Sequence, residues 1–237
     1  MENKRPLKLL IATPAYGGVV TTAYLLGLLD AIRGLTEAGV EFEVLTLANE
    51  SLIPRARNKC IDYALTRSFD KLLFIDADIE FRWSDVEKLL RSEKKIIGGV
   101  YPVKTLPIHY NFIPLAEDNA VFRWGKKGIE QFWKWKENAL PTGEKEVQYV
   151  PTGFMLIDLV SVSRIPATKE NKYAGQDVIT GDRKQMVDYF PTGVRDGMYE
   201  SEDWGFCSLV RSYGMSVWLH TGIVLKHHGT FAYGSYA

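Results

Sequence analysis

Apolar and polar residues alternate along the first hundred positions in blocks that predict strands and helices in turn. Strands are predicted where short apolar runs lie between polar or Gly-rich segments, and helices where apolar residues recur every three or four positions. This regular alternation favours parallel βαβ units. The predicted strands are 7–13, 41–47, 71–75 and 94–100, and the predicted helices are 25–39, 56–69 and one opened by a capping box of Ser84 and Glu87.

The pattern changes after Pro102. Residues 103–150 carry aromatic, charged and Gly-rich pieces that favour short antiparallel strands, so we expect the sheet to become mixed. Residues 166–200 are polar and too long for an ordinary connection, and they are predicted to form a mobile functional loop. A helix is predicted from a cap at Ser201 to Gly214, followed by two last strands.

Length and composition favour one domain. With 237 residues the chain can bury a full core, and we expect residues 1–102 to form a nucleotide-binding half and residues 103–237 an acceptor-side half. The 29 basic and 29 acidic residues cancel, so no global positive field would gather nucleic acid or anionic lipid. Neither a secretory signal nor a membrane-length apolar run is evident. Cys60 and Cys207 fit buried thiols, and we expect a cytoplasmic protein, in the host cytoplasm if it is virus-encoded.

Two carboxylates directly follow the third predicted strand, in the sequence KLLFIDADIEF at 71–81. In an open α/β sheet, ligands bind beyond the carboxyl ends of the strands, so Asp76 and Asp78 would lie at the mouth of a site. Oxygen ligands suit a hard divalent ion such as Mg²⁺ or Mn²⁺, usually shared with a phosphate. The structural alternative is a surface turn rich in Asp.

A set of short segments resembles those of GT-A fold glycosyltransferases, particularly the compact ones of large viruses, phages and bacteria. The resemblance implies a three-layer α/β/α fold with a central mixed, mostly parallel sheet and a small antiparallel part. It also implies transfer of a sugar from a nucleotide diphosphate sugar, here a UDP-sugar, to the hydroxyl of a carbohydrate or glycan acceptor, with Mn²⁺ or Mg²⁺ held between the D-x-D and the diphosphate. The segments are TPAYGG at 13–18, SLIPRARN at 51–58, FIDADI at 74–79, GGVYP at 98–102, PTGFMLID at 151–158, ESEDWGFC at 200–207 and LKHHGTFAY at 225–233.

By this resemblance Asp78 is the metal ligand, and Asp76 contacts the metal or the ribose. The pattern L-x-H-x-G-T selects His227 as the histidine that completes the metal site. Its neighbour His228 would face the opposite way, because successive residues of a strand point to opposite sides. A metal at this place would act as a Lewis acid on the departing nucleoside diphosphate.

Glu202 and Asp203 lie in the first turn of a predicted helix. Acidic residues so placed often only complement the helix dipole. The resemblance instead makes Asp203 the general base toward the acceptor hydroxyl and Glu202 a residue that orients the acceptor or donor sugar. Transfer with inversion follows from such a base.

The candidate nucleotide-binding residues lie at strand ends and at the start of the second helix. Tyr16 would stack on the base, and Arg57 with Asn58 would contact ribose or diphosphate. Simple turns, or a β-bulge near Gly99, are the structural alternatives. The full set is Thr13, Pro14, Tyr16, Arg57, Asn58, Asp76, Ala77, Gly99, Tyr101 and Gly153, and candidate acceptor contacts are Trp124, Trp133, Trp135, Arg195, Asp196 and Tyr199.

Other functions stay open. Phosphatases of the haloacid dehalogenase type also place a D-x-D after a strand, but they do so near the N-terminus and with Thr or Val where Glu80 stands. Asp78 with Glu80 also mimics the D-x-E of exonucleases, although no H-x-x-x-x-D follows. The alternatives are therefore a metal-dependent phosphohydrolase or nucleotidyltransferase, and a catalytically silent carbohydrate-binding protein with the GT-A fold.

Overall fold

A central sheet of eight strands organises the part of the chain that the computed structural model describes, residues 5–105, 110–115, 143–195, 197–229 and 232–233. The strand order is β2-β1-β3-β8-β5-β13-β7-β6. The strands are β1 (Lys8–Ala15), β2 (Glu41–Ala48), β3 (Lys71–Ile75), β4 (Ile79–Glu80), β5 (Ile96–Val100), β6 (Ile113–Pro114), β7 (Glu144–Tyr149), β8 (Phe154–Asp158), β9 (Lys172–Gln176), β10 (Arg183–Val187), β11 (Gly193–Arg195), β12 (Met198–Glu200), β13 (Val217–Val224), β14 (Lys226–His228) and β15 (Ala232–Tyr233). The helices are α1 (Thr22–Glu37), α2 (Ile53–Thr66), α3 (Trp83–Arg91), α4 (Leu159–Val162) and α5 (Glu202–Ser212).

The sheet is mixed, as predicted. β1 pairs in parallel with β2 and β3, which agrees with the βαβ pattern of the first hundred residues. β8 is inserted between β3 and β5 and runs antiparallel to both. β13 is parallel to β5 and antiparallel to β7. Because β8 starts where β3 ends, the turn before β8 reaches the same edge of the sheet as the D-x-D.

Alternate residues of each strand enter two separate cores, one on each face of the sheet. On β1, Leu10 and Ala12 contribute to one core, whereas Leu9 and Ile11 contribute to the other. The first core is covered by α2, α4 and α5, and the second by α1 and α3. Successive side chains of a strand point to opposite faces of the sheet, so each face needs its own layer of helices. This gives the three-layer α/β/α arrangement.

Helix ends agree with the sequence in most places. Gly39 and Gly214 follow α1 and α5 with φ of 67° and 74°, the left-handed conformation that glycine adopts without strain. The capping box predicted from Ser84 is displaced: α3 begins at Trp83, and the Asp85 carboxylate accepts the backbone N–H of Arg82 at 3.1 Å. The geometry differs because the chain enters the helix earlier than the Ser-Glu spacing indicated.

Most of the segment 166–200 lies in two hairpins, β9–β10 and β11–β12, whose mobility stays a prediction. Lys184 anchors the first hairpin: its Nζ lies 2.6 Å from Asp62 Oδ2 on α2 and 3.1 Å from Asp177 Oδ2. The candidate acceptor contacts Trp124, Trp133, Trp135 and Asp196 lie outside the described residues. Within the described part of the chain, no helix is long and apolar enough to cross a bilayer.

Candidate functional site

Three distant segments meet at the carboxyl edge of β3. The backbone N–H of Asp76 donates to the carbonyl of Gly153 at 2.9 Å, which ties the D-x-D to the turn before β8. The hydroxyl of Thr152 in that turn donates to Asp203 Oδ1 at the start of α5. The edge predicted for Asp76 and Asp78 therefore also holds the acidic pair 202–203.

A small second sheet places His227 beside the D-x-D. β14 pairs antiparallel with β4, so that His227 lies opposite Ile79. The His227 Nε2 atom is 3.3 Å from Asp78 Oδ1, and the second carboxylate oxygen, Oδ2, accepts from Lys104 Nζ. The sequence analysis did not single out Lys104, because a lysine in a polar loop carries no pattern of its own.

The two neighbouring histidines face opposite ways, as predicted. His228 Nε2 lies 2.7 Å from Glu80 Oε2, and Lys226 Nζ lies 3.0 Å from Glu80 Oε1. The Glu80 carboxylate is thus occupied on the other side of the strand pair. Only His227 of the two reaches Asp78.

His227 contacts both the Asp78 carboxylate and the backbone at Pro102. The Nδ1 atom lies 2.9 Å from the carbonyl oxygen of Pro102. Since a carbonyl oxygen only accepts hydrogen bonds, Nδ1 carries the hydrogen, and a neutral ring then points the lone pair of Nε2 at the Asp78 carboxylate. Two acceptors face each other at 3.3 Å unless a proton or a metal ion lies between them.

Asp76 has a different partner from Asp78. Its two carboxylate oxygens accept from Arg57 Nη2 at 3.0 and 3.2 Å. Among the described residues, no three His, Cys, Asp or Glu side chains are grouped so as to hold a metal ion. In this arrangement the Arg57 guanidinium contacts the Asp76 carboxylate, and the role of Asp76 as a metal ligand stays a prediction.

Arg57 lies at the centre of a buried acidic cluster. Its side chain is only 2% exposed, and its Nε atom is 3.9 Å from Glu202 Oε1. Burial alone would lower the pKa of Arg57, but Asp76, Asp203 and Glu202 raise it. The Nε and Nη1 atoms have no hydrogen-bond partner in the described part of the protein. Arg57 thus forms an ion pair within the protein, while Nε with one N–H and Nη1 with two remain without a hydrogen-bond partner among the described residues. Its contact with ribose or diphosphate stays a prediction.

One guanidinium cannot neutralise three carboxylates, and the excess negative charge affects the pKa of Glu202. Burial and the neighbouring Asp203 raise the pKa of Glu202 to about 7, although Arg57 acts in the opposite direction. Burial also raises the pKa of Asp76, again against the effect of Arg57. A group whose pKa lies near neutrality is suited to accept or donate a proton.

Glu202→Gln is expected to stabilise the protein at pH 8 by about 2 kcal/mol and to have little effect at pH 5. The folded-state pKa lies above the unfolded value, so the free energy of unfolding falls as the pH rises from about 4.5 to about 7 and stays lowered above that. Glutamine mimics the protonated acid, so the free energy of unfolding of the variant should not fall in this way. Urea unfolding at the two pH values measures the effect, with the exposed Glu170→Gln as control. An equal change at both pH values would contradict it.

Asp203 is held more firmly than Glu202. Its side chain is 9% exposed, and Oδ1 accepts both the hydroxyl of Thr152 and, at 3.4 Å, the backbone N–H of Thr152. Thr152 belongs to the PTGFMLID segment but was not singled out, because its partner lies far along the chain. These contacts fix the carboxylate and leave Oδ2 as the oxygen not engaged by Thr152.

Gly153 and Tyr101 position the acids. The Tyr101 hydroxyl accepts the backbone N–H of Gly153 at 3.0 Å, and its ring packs edge-on against His227 with centroids 5.0 Å apart. A Cβ at position 153 would overlap both the Tyr101 hydroxyl and the Asp76 carboxylate. Gly153 is therefore required for close packing, and Tyr101, which is 5% exposed, orients His227 from the interior.

The residues predicted to bind the nucleotide base differ in their exposure and in their contacts within the protein. Tyr16 is 76% exposed at the end of β1, where its ring is free to stack on a ligand. Thr13 is buried and its hydroxyl lies 2.5 Å from the Tyr24 hydroxyl, and Pro14 is buried as well. The carbonyl of Ala77 accepts the backbone N–H at the start of α1. Of these four, only Tyr16 presents a side chain that could cover a base.

Asn58 and Gly99 both make contacts inside the protein, and their predicted ligand contacts stay predictions. The Asn58 amide donates to Asp188 Oδ1 at 2.7 Å and accepts the backbone N–H of Tyr189 at 2.8 Å, so both of its polar atoms are used inside the protein. A Cβ at Gly99 would overlap the side chain of Ile223 on the neighbouring strand. Gly99 thus serves sheet packing.

No protein-family model matches the chain, and no curated protein matches it in sequence. Among solved structures, it is similar to A197 from STIV, with a TM-score of 0.51, 17% identity, and coverage of 94% of this chain and 86% of that one. It is also similar to GalNAc-T7 with UDP, GalNAc and Mn²⁺, with a TM-score of 0.47 and 9% identity, over 95% of this chain but only 44% of that one. These likenesses concern the fold alone. The predicted three-layer α/β/α fold around a mixed sheet is confirmed. The predicted parallel majority is not found: among the described strands of the large sheet three pairings are parallel and four antiparallel, partly because β8 is inserted antiparallel to both of its neighbours.

Proposed function

We propose that this chain is a metal-dependent glycosyltransferase that moves a sugar from a UDP-sugar to an acceptor hydroxyl with inversion. One observation supports the proposal: the Asp78–His227 pair lies at the same sheet edge as the acidic pair Glu202 and Asp203. Activation of a diphosphate leaving group and removal of a proton from an acceptor are the two tasks of such a transfer.

Asp78 and His227 would hold the metal ion. A carboxylate and an imidazole whose second nitrogen is fixed by a backbone carbonyl form a suitable donor pair, and diphosphate oxygens and water would complete the coordination. The Lys104 ammonium contacts the same Asp78 carboxylate and would move aside when the metal ion binds. When bound, the ion would neutralise charge that develops on the departing nucleoside diphosphate.

Asp203 would take the acceptor proton. Thr152 holds one carboxylate oxygen, which leaves the other for the acceptor hydroxyl. Glu202, beside Arg57, would orient the sugar and adjust its own charge as substrates bind. Direct attack by an acceptor activated in this way inverts the configuration of the transferred sugar.

The position of Asp76 favours transfer over a haloacid dehalogenase type of hydrolysis. In such a hydrolase the first Asp of D-x-D attacks phosphorus and needs a free carboxylate. Both oxygens of Asp76 instead accept hydrogen bonds from Arg57 at 3.0 and 3.2 Å, which lowers their nucleophilicity.

UDP together with Mn²⁺ is expected to raise the Tm by about 5–10 °C when UDP is present at 100 times its Kd. Neither UDP nor Mn²⁺ alone should give the full shift, because each lacks the partner that completes the coordination. Asp78→Asn should remove most of the gain. Differential scanning fluorimetry with the four nucleoside diphosphates measures it.

Glu80→Gln is the matched control, since Glu80 lies two residues away and pairs with His228 and Lys226 on the other side. It should retain the shift. If no nucleoside diphosphate stabilises the wild type with either Mn²⁺ or Mg²⁺, the proposed function is wrong.

A further inference from the structure

A cavity of about 520 Å³ is lined in part by Ser201 and Trp204, which flank the acidic pair, and by Tyr199, one of the candidate acceptor contacts. This volume falls in the range of small-molecule sites. One wall comes from the segment after β5, the other from β12 and the first turn of α5. The described residues that line the cavity are Val103, Asn111, Met198, Tyr199, Ser201 and Trp204.

Both walls adjoin the proposed reaction site along the chain. Val103 directly precedes Lys104, whose ammonium contacts Asp78. Ser201 and Trp204 flank Glu202 and Asp203 and are three residues apart, so they share one face of the first helical turn while the two acids point elsewhere. A molecule in this cavity would therefore lie next to both the cation pair and the proposed base.

The aromatic wall is built before any ligand arrives. The Trp204 ring stacks on Tyr149 with centroids 5.1 Å apart and planes at 15°. Arg195 Nη1 lies 3.3 Å from Glu200 Oε2, and Ser208 donates to Glu200 Oε1 at 3.2 Å, so that the β11–β12 hairpin is fixed to α5. Fixed side chains lose little conformational entropy when a ligand binds.

Tyr199 presents its ring at the mouth of this wall and is 68% exposed. An exposed aromatic ring on a fixed hairpin offers an apolar face and one polar tip, the combination that suits the C–H face and hydroxyl groups of a pyranose. Asn111 and Ser201 add neutral hydrogen-bonding groups. None of the six described lining side chains is charged, so none of them offers a counter-ion to a phosphate, a carboxylate or an amine.

We propose that this cavity is the acceptor subsite and that it binds a neutral hexopyranose stacked on Tyr199, with its hydroxyls held by Asn111 and Ser201. The assignment rests on the proposed glycosyltransferase function and specifies its acceptor class. The described lining gives an acidic sugar or a free phosphate no ion-pair partner, and an alkyl chain would leave the polar groups of Asn111 and Ser201 unsatisfied.

Ligand-observed saturation-transfer NMR tests the subsite without requiring turnover. The probes are methyl glycosides of glucose, galactose and mannose, with methyl glucuronide and octanol as the acidic and apolar comparisons. At least one neutral glycoside should bind the wild type, and Tyr199→Ala should raise its Kd about tenfold or more. Tyr199→Phe keeps the ring and should retain most of the affinity.

Tyr213→Ala is the matched control, because Tyr213 is 45% exposed at the far end of α5 and does not line the cavity. Its Kd should equal that of the wild type. The subsite is wrong if no neutral glycoside binds, if Tyr199→Ala binds as the wild type does, or if octanol or the glucuronide binds more tightly. UDP–Mn²⁺ stabilisation of the wild type, measured separately, shows whether the transferase function itself holds.

Discussion

Asp203→Asn is expected to lower the rate of sugar transfer by about 10²–10⁴-fold, the usual contribution of a general base. The amide cannot accept the proton of the acceptor hydroxyl. Its oxygen can still accept the hydroxyl and backbone N–H of Thr152, so the start of α5 should stay in place. The rate is measured as UDP release with Mn²⁺ and neutral sugar acceptors, and donor binding as the UDP–Mn²⁺ thermal shift, which should persist.

Glu202→Gln separates the two acids. If Asp203 is the base, Glu202→Gln should reduce turnover less than Asp203→Asn does, because Glu202 orients the substrate and does not take the proton. Asp182→Asn, an exposed change in the β9–β10 turn, controls for loss of charge. Full turnover in Asp203→Asn, or a larger loss of turnover in Glu202→Gln, would show that Asp203 is not the base.

Arg57→Met is expected to lower the free energy of unfolding by about 3–5 kcal/mol at pH 8, the range found when one partner of a buried ion pair is removed. The change leaves Asp76, Glu202 and Asp203 without their shared cation. For a chain of this size, the corresponding fall in Tm is about 10 °C. The loss should be smaller at pH 5, since the uncompensated acids can take up protons.

Two further variants test that explanation. Arg55→Met lies two residues away on the same helix, where the side chain is 45% exposed and its partner Glu50 keeps a second cation in Lys59. Its effect should be about 1 kcal/mol or less. Adding Asp76→Asn to Arg57→Met should restore part of the lost stability. An unchanged stability in Arg57→Met would show that the cluster is neutralised by other means.

The sequence predicted the parts of the fold and site that depend on local pattern. Period-two and period-3.6 spacings placed the first three strands and their helices, and strand alternation assigned His227 and His228 to opposite sides before any partner was known. The apolar strand that ends in D-A-D located the sheet edge at which the acids gather. Each of these inferences needs only the residues within one element.

Contacts between segments far apart in the chain were not predictable. Nothing local indicates that Arg57 binds Asp76, that Asn58 satisfies a turn near Asp188, or that Thr152 holds Asp203, because each contact joins segments far apart in sequence. A buried polar group needs a hydrogen-bond partner, and the sequence does not show which distant residue provides it. Lys104 was missed for the same reason.

The insertion of β8 between β3 and β5 has a consequence for folding. Phe74 pairs with Met155 and Ile97 with Leu156, so the middle of the sheet closes only after more than half of the chain is available. Such non-local pairing raises contact order and slows folding. A nascent chain ending at residue 102 would have β2, β1 and β3 joined but β5 detached, with two open strand edges exposed to aggregation. Synthesis of the later segments thus completes the sheet and the site in the same event.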